Sequence, residues 1–329
     1  MAVAVPILSV LGSCCACVVY LEHLTKSDPG SMNLLTFAEF VFIALEGIVF
    51  VSKFFTVPNV VPIRSYMLMV TVFFSANVIN NQALNYHIPV PLHIIFRSGS
   101  LLANMILGMW LLKRRYTAQK YLSVVLITAG IILCTLVSSG QQKSHEPKAE
   151  EHDATHSEWI IGVGMLFFAL FATAFLGILQ EKLTVKYGKN PREMMFYSHA
   201  LPLPFFLAFG GNIYKHVLIF NESEPYSVPY VGLTVPVLWW YLVVSVATQY
   251  FCIRSVYTLT AECPSLTVTL VVTLRKFISL LISIVYFRNP FTLMHWLGTL
   301  MVFGGTLMFS NVFGQIAEAM DKRKEKKVD

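Results

Sequence analysis

Long apolar stretches dominate the chain, and each is continuous instead of alternating at every second residue. Continuous runs of about 20 apolar residues are typical of transmembrane α-helices, whereas alternating runs belong to membrane β-barrels. Ten such runs predict spans at 3–21, 33–55, 65–87, 90–112, 119–139, 158–180, 194–213, 233–257, 265–287 and 293–313. The pattern therefore predicts an all-α integral membrane protein with ten transmembrane helices.

Two local features define these boundaries. Between Arg64 and Lys113 the only charged residue is Arg97, yet this region is too long for one span, and Pro89 and Pro91 divide it. The first stretch lacks the basic start of a signal peptide, so we expect it to be retained as a helix.

The composition agrees with this pattern and excludes several classes of protein. Of the 329 residues, 56% are hydrophobic and only 13% are charged, whereas soluble proteins carry about 25% charged residues. We therefore expect neither a soluble enzyme, nor a nucleic-acid-binding module, nor a disordered chain. The net charge of +6 raises the question of an anionic partner, so the positions of the cations matter.

Basic residues outside the spans are concentrated on one side of the predicted membrane. With a cytosolic N-terminus, fifteen Lys and Arg residues fall on the cytosolic side and five on the other. The cytosolic set is Lys53, Arg64, Lys113, Arg114, Arg115, Lys120, Lys182, Lys186, Lys189, Arg192, Lys322, Arg323, Lys324, Lys326 and Lys327, and the other set is Lys26, Lys143, Lys148, Lys215 and Arg288. Because Lys and Arg favour the cytosolic side, we predict that both termini are cytosolic.

The two longest loops, at 140–157 and about 214–232, face away from the cytosol in this topology. The first is a polar lumenal loop between two halves of the chain, 1–139 and 158–313. The second contains Asn221, which begins the triplet Asn-Glu-Ser. This triplet is an acceptor sequence for N-glycosylation, and the topology places it on the side where that modification occurs.

The basic cytosolic tail, 314–329, has two interpretations. Lys326 and Lys327 stand fourth and third from its end, which resembles the dilysine signal by which coat proteins return membrane proteins from the Golgi to the endoplasmic reticulum. The alternative is a solvated basic end that follows the same charge bias. The first interpretation predicts a protein of the endoplasmic reticulum, the Golgi or both.

Six cysteines lie in or at the ends of the spans, at positions 14, 15, 17, 134, 252 and 263. None has the paired spacing of a metal site, and no other feature indicates a metal or a cofactor. Buried cysteines commonly act as small apolar packing residues. We therefore predict no disulfide.

The two halves of the chain resemble each other weakly but in the same order. Three pairs carry the likeness: Glu22-His23-Leu24-Thr25 with Glu181-Lys182-Leu183-Thr184, Arg97-Ser98-Gly99-Ser100-Leu101-Leu102 with Lys276-Phe277-Ile278-Ser279-Leu280-Leu281, and Tyr116-Thr117 with Phe291-Thr292. With five spans in each repeat, the second copy enters the membrane inverted. Inverted repeats are typical of secondary transporters, which bind substrate near the bilayer midplane.

Three cations, Arg97, Arg275 and Lys276, lie well inside predicted spans. On insertion scales each costs about 2.5–3.5 kcal/mol at mid-helix, so such groups face a cavity or a counter-charge. One alternative is an internal ion pair with Glu39 or Glu46, which share one face of the second span. The other is an anion-binding cavity, in which Lys supplies a point charge and Arg a forked set of donors.

Polar residues spaced along the same helices favour the cavity. Arg97, Ser100 and Asn104 stand at i, i+3 and i+7, and Lys276, Ser279 and Ser283 repeat that spacing in the other half. Two stripes led by cations predict one chamber for a phosphorylated ligand.

Two further polar groups have both a binding and a structural interpretation. Asn80, Asn81 and Asn85 in the third span can hydrogen bond a base, ribose or sugar, although intramembrane Asn also joins helices. Tyr197, followed by Ser198 and His199 at the start of the seventh span, could stack on a base or belong to the aromatic belt of the membrane interface.

With these residues in view, the chain resembles the nucleotide-sugar transporters of the drug/metabolite transporter superfamily over nearly its whole length. The runs that carry the resemblance are Val78-Ile79-Asn80-Asn81, Pro91-Leu92-His93, Ile95-Phe96-Arg97-Ser98-Gly99-Ser100-Leu101, His199-Ala200-Leu201-Pro202-Leu203-Pro204, Ser265 to Phe277 and His295-Trp296-Leu297-Gly298-Thr299-Leu300. The run 265–277 is specific to the branch that carries UDP-xylose and UDP-N-acetylglucosamine. The resemblance implies ten helices in an inverted five-plus-five arrangement, and exchange of cytosolic UDP-sugar for lumenal UMP.

Two motifs of the GDP-mannose branch are only partly present. Its Phe-Tyr-Asn-Asn motif reads Phe196-Tyr197-Ser198-His199 here, and its Gly-Ala-Leu-Asn-Lys motif reads Val272-Thr273-Leu274-Arg275-Lys276. The resemblance implies that Lys276 binds phosphate, while the lost asparagines argue against guanine and fit uridine.

The leading hypothesis is therefore a UDP-sugar/UMP antiporter in the lipid bilayer, either monomeric or homodimeric. Lys276, Arg97 and Arg275 would hold phosphate. The closest rival is a carrier of another nucleotide, such as an ATP/ADP exchanger. A membrane-embedded enzyme is not expected, because the sequence contains no metal-binding or Ser/His/Asp motif.

Overall fold

The computed structural model describes residues 4–86, 88–113, 115–143, 149–188, 190–227, 232–262 and 265–311, and these are mostly helical. The helices are α1 (Ala4–Ser27), α2 (Met32–Phe50), α3 (Ile63–Gln82), α4 (Val90–Ser98), α5 (Ser100–Leu112), α6 (Ala118–Lys143), α7 (Ala149–Tyr187), α8 (Pro191–Ala200), α9 (Gly210–Asn221), α10 (Val237–Glu262), α11 (Ser265–Val285) and α12 (Leu293–Phe309). Short 3-10 helices occupy Pro29–Ser31, Ala83–Asn85 and Leu203–Phe209.

The apolar helices make this chain a multi-pass membrane protein. Within the described residues, eight helical segments are long and apolar enough to cross a bilayer, from Val5–Ser27 to Val237–Val256. The helix Leu293–Phe309 is apolar but shorter. The helical membrane class predicted from the continuous apolar runs is thus confirmed.

Two predicted spans are each built from two helices. The span predicted at 90–112 is divided at Gly99, where α4 ends and α5 begins. A Cβ at this position would meet the terminal methyl Cδ1 of Ile131 on α6 at 2.4 Å. The span predicted at 194–213 is divided by the 3-10 helix Leu203–Phe209, which follows Pro202. Proline lacks the N–H that would continue the α-helix.

The loops also differ from the sequence prediction. The loop predicted at 140–157 is shorter, since α6 runs to Lys143 and α7 begins at Ala149. Between α9 and α10 the chain forms a two-stranded antiparallel sheet, β1 (Pro225–Ser227) and β2 (Thr234–Pro236), with Tyr226 opposite Val235. The prediction of an entirely α-helical chain missed this sheet, because three-residue strands carry too little pattern to be recognised.

Helices α6 and α12 pack at unusually close range through glycine. A Cβ at Gly130 would lie 2.5 Å from the carbonyl oxygen of Gly298, and a Cβ at Gly298 would lie 2.8 Å from that of Gly130. Further along α12 in the same interface, a Cβ at Gly305 would lie 2.9 Å from the carbonyl oxygen of Ser123 on α6. Small residues let helix backbones approach closely in a membrane, where dispersion contacts drive association.

Helix α1 packs between α10 and α11, and a disulfide joins Cys14 of α1 to Cys252 of α10. The sequence prediction of no disulfide is therefore wrong. The two cysteines are 238 residues apart, and only the packing of α1 on α10 brings them together. Among the described cysteines, Cys15, Cys17 and Cys134 are free and buried.

We expect two more reactive thiols after reduction than before it in denatured wild-type protein, because reduction releases both cysteines of the Cys14–Cys252 pair. Mass spectrometry after maleimide labelling counts them. Cys14→Ser and Cys252→Ser should each abolish the difference, whereas Cys134→Ser should leave it unchanged. Equal thiol counts before and after reduction would show that no disulfide forms.

Candidate functional site

Two cavities inside the helical bundle meet at a shared wall. One, of about 370 Å³, lies among α3, α4, α7 and α11, and we call it the aromatic cavity because Phe73 and Phe96 line it. The other, of about 400 Å³, lies among α1, α2, α3 and α10. We call it the polar cavity, and the two together the chamber. Both volumes fall in the range of small-molecule sites, about 300–1,000 Å³.

The shared wall contains four polar residues: Asn77, Asn80, Arg97 and Arg275. Lys276 lines the aromatic cavity next to them. The chamber thus brings together the three intramembrane cations that the sequence singled out. They come from both halves of the chain, Arg97 from α4 and the other two from α11.

The break at Gly99 shapes this wall. Arg97 is the second-last residue of α4, and Lys276 Nζ donates a hydrogen bond to its carbonyl oxygen at 3.2 Å. The last carbonyls of a helix lack partners within it and attract cations. Ser100, the first residue of α5, lines the aromatic cavity. An anion at the wall would therefore compete with the α4 carbonyl for Lys276.

The three cations are not neutralised by ion pairs. In the described part of the chain, salt bridges join Lys26 to Glu22, Arg192 to Glu46 at 3.7 Å, and His216 to Asp28. Glu46 also accepts a hydrogen bond from Tyr250 Oη at 2.9 Å, so it belongs to a separate polar cluster. Glu39 attracts Arg97 electrostatically, but in the described residues no carboxylate lies within ion-pair distance of the three cations. Of the two interpretations of the cations, this geometry favours the cavity over the internal ion pair.

The guanidinium group of Arg275 has a hydrogen-bond partner at one nitrogen and none at another. Its Nη1 donates to Cys252 Sγ at 3.3 Å, while its Nε is buried with no hydrogen-bond partner in the structure. A buried donor without a partner is destabilising unless a ligand or water binds it. This atom therefore marks a position at which a ligand acceptor would be stabilised.

The predicted asparagines divide into two groups. Asn80 and Asn81 line the chamber, and Asn81 Nδ2 also donates to Thr36 Oγ1 at 2.8 Å. Asn85 lies in the 3-10 helix Ala83–Asn85, lines neither cavity and donates to Gln82 Oε1 at 2.6 Å.

The predicted residues of the seventh span lie behind the chamber wall. Tyr197 stacks on Tyr66 with ring centroids 5.2 Å apart, and Ser198 Oγ donates to its own helix. His199 packs on Phe40 and Phe73. Since Phe73 lines the aromatic cavity, His199 is one residue removed from it, and none of the three predicted residues lines either cavity.

The two polar stripes do not both face the chamber. In the first stripe, Ser100 lines the chamber. The break at Gly99 interrupts the helical spacing, so Asn104 is exposed and lies outside both cavities. On α11, Ser279 donates to Cys15 Sγ at 3.6 Å and Ser283 to Glu22 Oε2 at 2.6 Å. The part of this stripe that follows Lys276 in the sequence therefore packs on α1.

Some lining residues were missed by the sequence reasoning. Asn77 stands three residues before Asn80 on the same face of α3, and Ser245 and Gln249 stand at i and i+4 on α10. These polar pairs inside apolar runs were the available signal. Glu39 lines the polar cavity, although the sequence suggested it only as an ion-pair partner.

The remaining sequence signals lie away from the chamber or outside the described residues. Asn221 is exposed at the end of α9, where its Oδ1 accepts a hydrogen bond from Trp239 Nε1 at 2.8 Å. Lys326 and Lys327 lie outside the described residues. In the part of the chain that the structure describes, no cluster of three or more His, Cys, Asp or Glu could hold a metal.

A multi-pass helical protein with unpaired cations around an internal chamber belongs to the class of membrane transporters for anionic solutes. The sequence comparison defines the family: the model of the UAA transporter family matches residues 2–313. The chain belongs to this family, which consists of transporters and not of enzymes.

Three similar proteins cover nearly the whole chain. The endoplasmic reticulum GDP-fucose transporter of Drosophila melanogaster is 54% identical over 95% of this chain and 92% of its own. The UDP-xylose and UDP-N-acetylglucosamine transporter of Danio rerio is 52% identical over 95% and 96%. A nucleotide sugar transporter of Homo sapiens is 51% identical over 93% of each chain.

Proposed function

We propose that this chain carries UDP-N-acetylglucosamine, UDP-xylose or both from the cytosol into the lumen of the endoplasmic reticulum or Golgi, in exchange for UMP. The observation that carries the proposal is the cationic part of the chamber: Arg97 and Arg275 on the shared wall and Lys276 beside them in the aromatic cavity, none of them within ion-pair distance of a carboxylate in the described residues. Three cations suit the phosphates of a nucleotide. The name of the Danio rerio relative supports a UDP-sugar.

We further propose that α1 to α6 and α7 to α12 form two inverted five-span repeats, in which α4 with α5, and α8 with α9, each make one span. The helix packing supports this arrangement. Helix α1 packs on α10 while α3 packs on α7, and the repeat exchanges these two pairs. The pairs α6 with α12 and α2 with α8 each map onto themselves. Such symmetry supports alternating access.

The electrostatics of the chamber explain why transport would be an exchange. An empty chamber exposes three cations in the interior of the membrane, and moving them between faces carries a desolvation cost. A bound nucleotide supplies the opposite charge and lowers that barrier. Both UDP-sugar on the way in and UMP on the way out can do this, so each direction requires a nucleotide.

The roles proposed for individual residues follow from their positions. Lys276, Arg97 and Arg275 would bind phosphate, with Ser100, Asn80 and Asn81 as hydrogen-bonding partners in the same chamber. Tyr197, Ser198, His199, Asn85, Asn104 and Ser279 lie outside both cavities. Contact between these residues and a substrate would need a different arrangement of the helices, so their binding roles stay predictions.

The sequence signals support the cellular part of the proposal. The excess of basic residues in one set of loops favours cytosolic termini, and Lys326 and Lys327 would then be available to coat proteins. Glycosylation at Asn221 and assembly as a homodimer remain predictions that peptide mass spectrometry and cross-linking can test.

Uptake into proteoliposomes tests the exchange. Labelled UDP-N-acetylglucosamine and UDP-xylose should enter several times faster when the vesicles contain UMP than when they are empty. GDP-fucose and ATP belong in the same panel, because the Drosophila melanogaster relative is named for GDP-fucose. Exchange of GDP-fucose or ATP without any UDP-sugar uptake would overturn the proposed substrate. Equal uptake by loaded and empty vesicles would overturn obligatory exchange.

A further inference from the structure

The two cavities differ in their chemistry, and the cations lie between them. The aromatic cavity has two phenylalanine rings and a wall of aliphatic α7 side chains. The polar cavity has a carboxylate from Glu39 and a side-chain amide from Gln249, with Ser245 beside them. Arg97 and Arg275 face both cavities. The order across the chamber is therefore aromatic, cationic and then polar.

Glu39 is a carboxylate inside the membrane whose side chain makes no hydrogen bond in the described part of the chain. Arg97, which lines the same cavity, attracts it electrostatically but lies beyond ion-pair distance. Ionisable residues inside a membrane are costly and are typically functional. The structural cluster of Glu46, Tyr250 and Arg192 offers a contrast, because Oε1 of that carboxylate accepts a hydrogen bond from Tyr250 and lies within ion-pair distance of Arg192.

Gln249 presents its amide to the same cavity in a fixed orientation. The Sγ of Cys17 donates to its Oε1 at 3.1 Å, and both residues line the polar cavity. An oriented amide beside a carboxylate that makes no hydrogen bond can bind several hydroxyl groups at once. Phosphate is not what a carboxylate would bind, since the two charges have the same sign.

We propose that the polar cavity is the sugar subsite, in which Glu39 and Gln249 hydrogen bond the hydroxyl groups of the sugar. The nucleoside then occupies the aromatic cavity, where the partly exposed ring of Phe73 offers an apolar face to the base. The diphosphate lies between them at Arg97 and Arg275. This inference rests on the proposed function, because it requires a nucleotide sugar as the substrate.

The order of groups in the ligand matches the order of the chamber. A nucleotide sugar consists of base and ribose, then two phosphates, then sugar, and the aromatic, cationic and polar surfaces follow the same sequence. UMP has no sugar, so it would fill the aromatic cavity and the cationic wall and leave Glu39 and Gln249 without contact. These two residues therefore act on only one of the two exchanged substrates.

Substitutions in the polar cavity test the assignment by separating the two substrates. In full-length protein in proteoliposomes, Gln249→Ala and Glu39→Gln should reduce UDP-N-acetylglucosamine uptake about tenfold or more, since sites that hydrogen bond hydroxyls discriminate strongly. Exchange of UMP for UMP should stay within about twofold for Gln249→Ala, and stay equal or become faster for Glu39→Gln. Thr248→Ala, next to Gln249 but lining neither cavity, is the matched control.

Thermal stabilisation by UMP in detergent reports whether each variant folds and keeps its nucleotide site, since a bound ligand stabilises only the folded protein. Variants that keep UMP stabilisation and lose UDP-sugar uptake support the sugar subsite. Equal losses for UMP and UDP-sugar, or undiminished UDP-sugar uptake, overturn it. A wild-type protein that exchanges UMP but takes up no nucleotide sugar would instead overturn the proposed function, so the two failures are distinguishable.

Discussion

Replacing Lys276 by alanine should abolish transport while the protein still folds. Removing one partner of a buried, hydrogen-bonded charge pair costs about 2–5 kcal/mol, which corresponds to a loss of roughly 30-fold to several thousand-fold in affinity. Lys276 makes one hydrogen bond in the described structure, to the carbonyl oxygen of Arg97, so its loss should disturb the fold little. Transport in proteoliposomes measures the first effect, and the melting temperature of the purified variant without ligand measures the second.

The matched control for this experiment is Lys215→Ala, which removes the same charge from an exposed position on α9. It should transport at the wild-type rate. Lys276→Arg keeps the charge but changes its shape from a point to a fork, so it should retain partial activity. Normal transport by Lys276→Ala would exclude Lys276 from the binding site.

Replacing Gly130 by alanine should destabilise the bundle by about 1–3 kcal/mol, the usual range for overpacking. The added Cβ would lie 2.5 Å from the backbone oxygen of Gly298, and a backbone atom cannot move aside as a flexible side chain can. Helices α6 and α12 would have to separate along their whole interface. Thermal unfolding of the purified protein in detergent measures the change.

Gly304, a glycine on α12 outside this close contact, provides the control. A Cβ at Gly304 meets nothing within 4 Å, and alanine is favoured over glycine in a helix by about 1 kcal/mol. Gly304→Ala should therefore melt at the wild-type temperature or slightly above it. If Gly130→Ala and Gly304→Ala melted alike, the close backbone contact would not be a source of stability.

Much of the fold could be predicted because the signals are local. A run of apolar residues predicts a helix in the membrane wherever its partners lie, and a charge within such a run is conspicuous. Arg97, Arg275 and Lys276 were identified in this way, and all three line the chamber. The sequence could also place Pro89 and Pro91 at the start of α4, although it did not predict the division after Pro202.

What could not be predicted depends on contacts between distant parts of the chain. Gly99 separates α4 from α5 and packs against Ile131 of α6, so the spacing from Arg97 to Asn104 was extrapolated across a break. The Cys14–Cys252 pair and the facing of Glu39 and Gln249 into one cavity arise from the packing of α1 and α2 around α10. The spacing of residues within one helix does not indicate such contacts between distant helices.

The position of α1 has a consequence for biosynthesis. Its main packing partners, α10 and α11, are made much later, since Cys14 and Cys252 are 238 residues apart. At a synthesis rate of about 5–20 residues per second, roughly 10–50 s pass between the synthesis of α1 and that of α10. Its buried Glu22 and Cys14 lack their final partners during that interval. The redox state of Cys14 would therefore report when a newly made chain has completed its bundle.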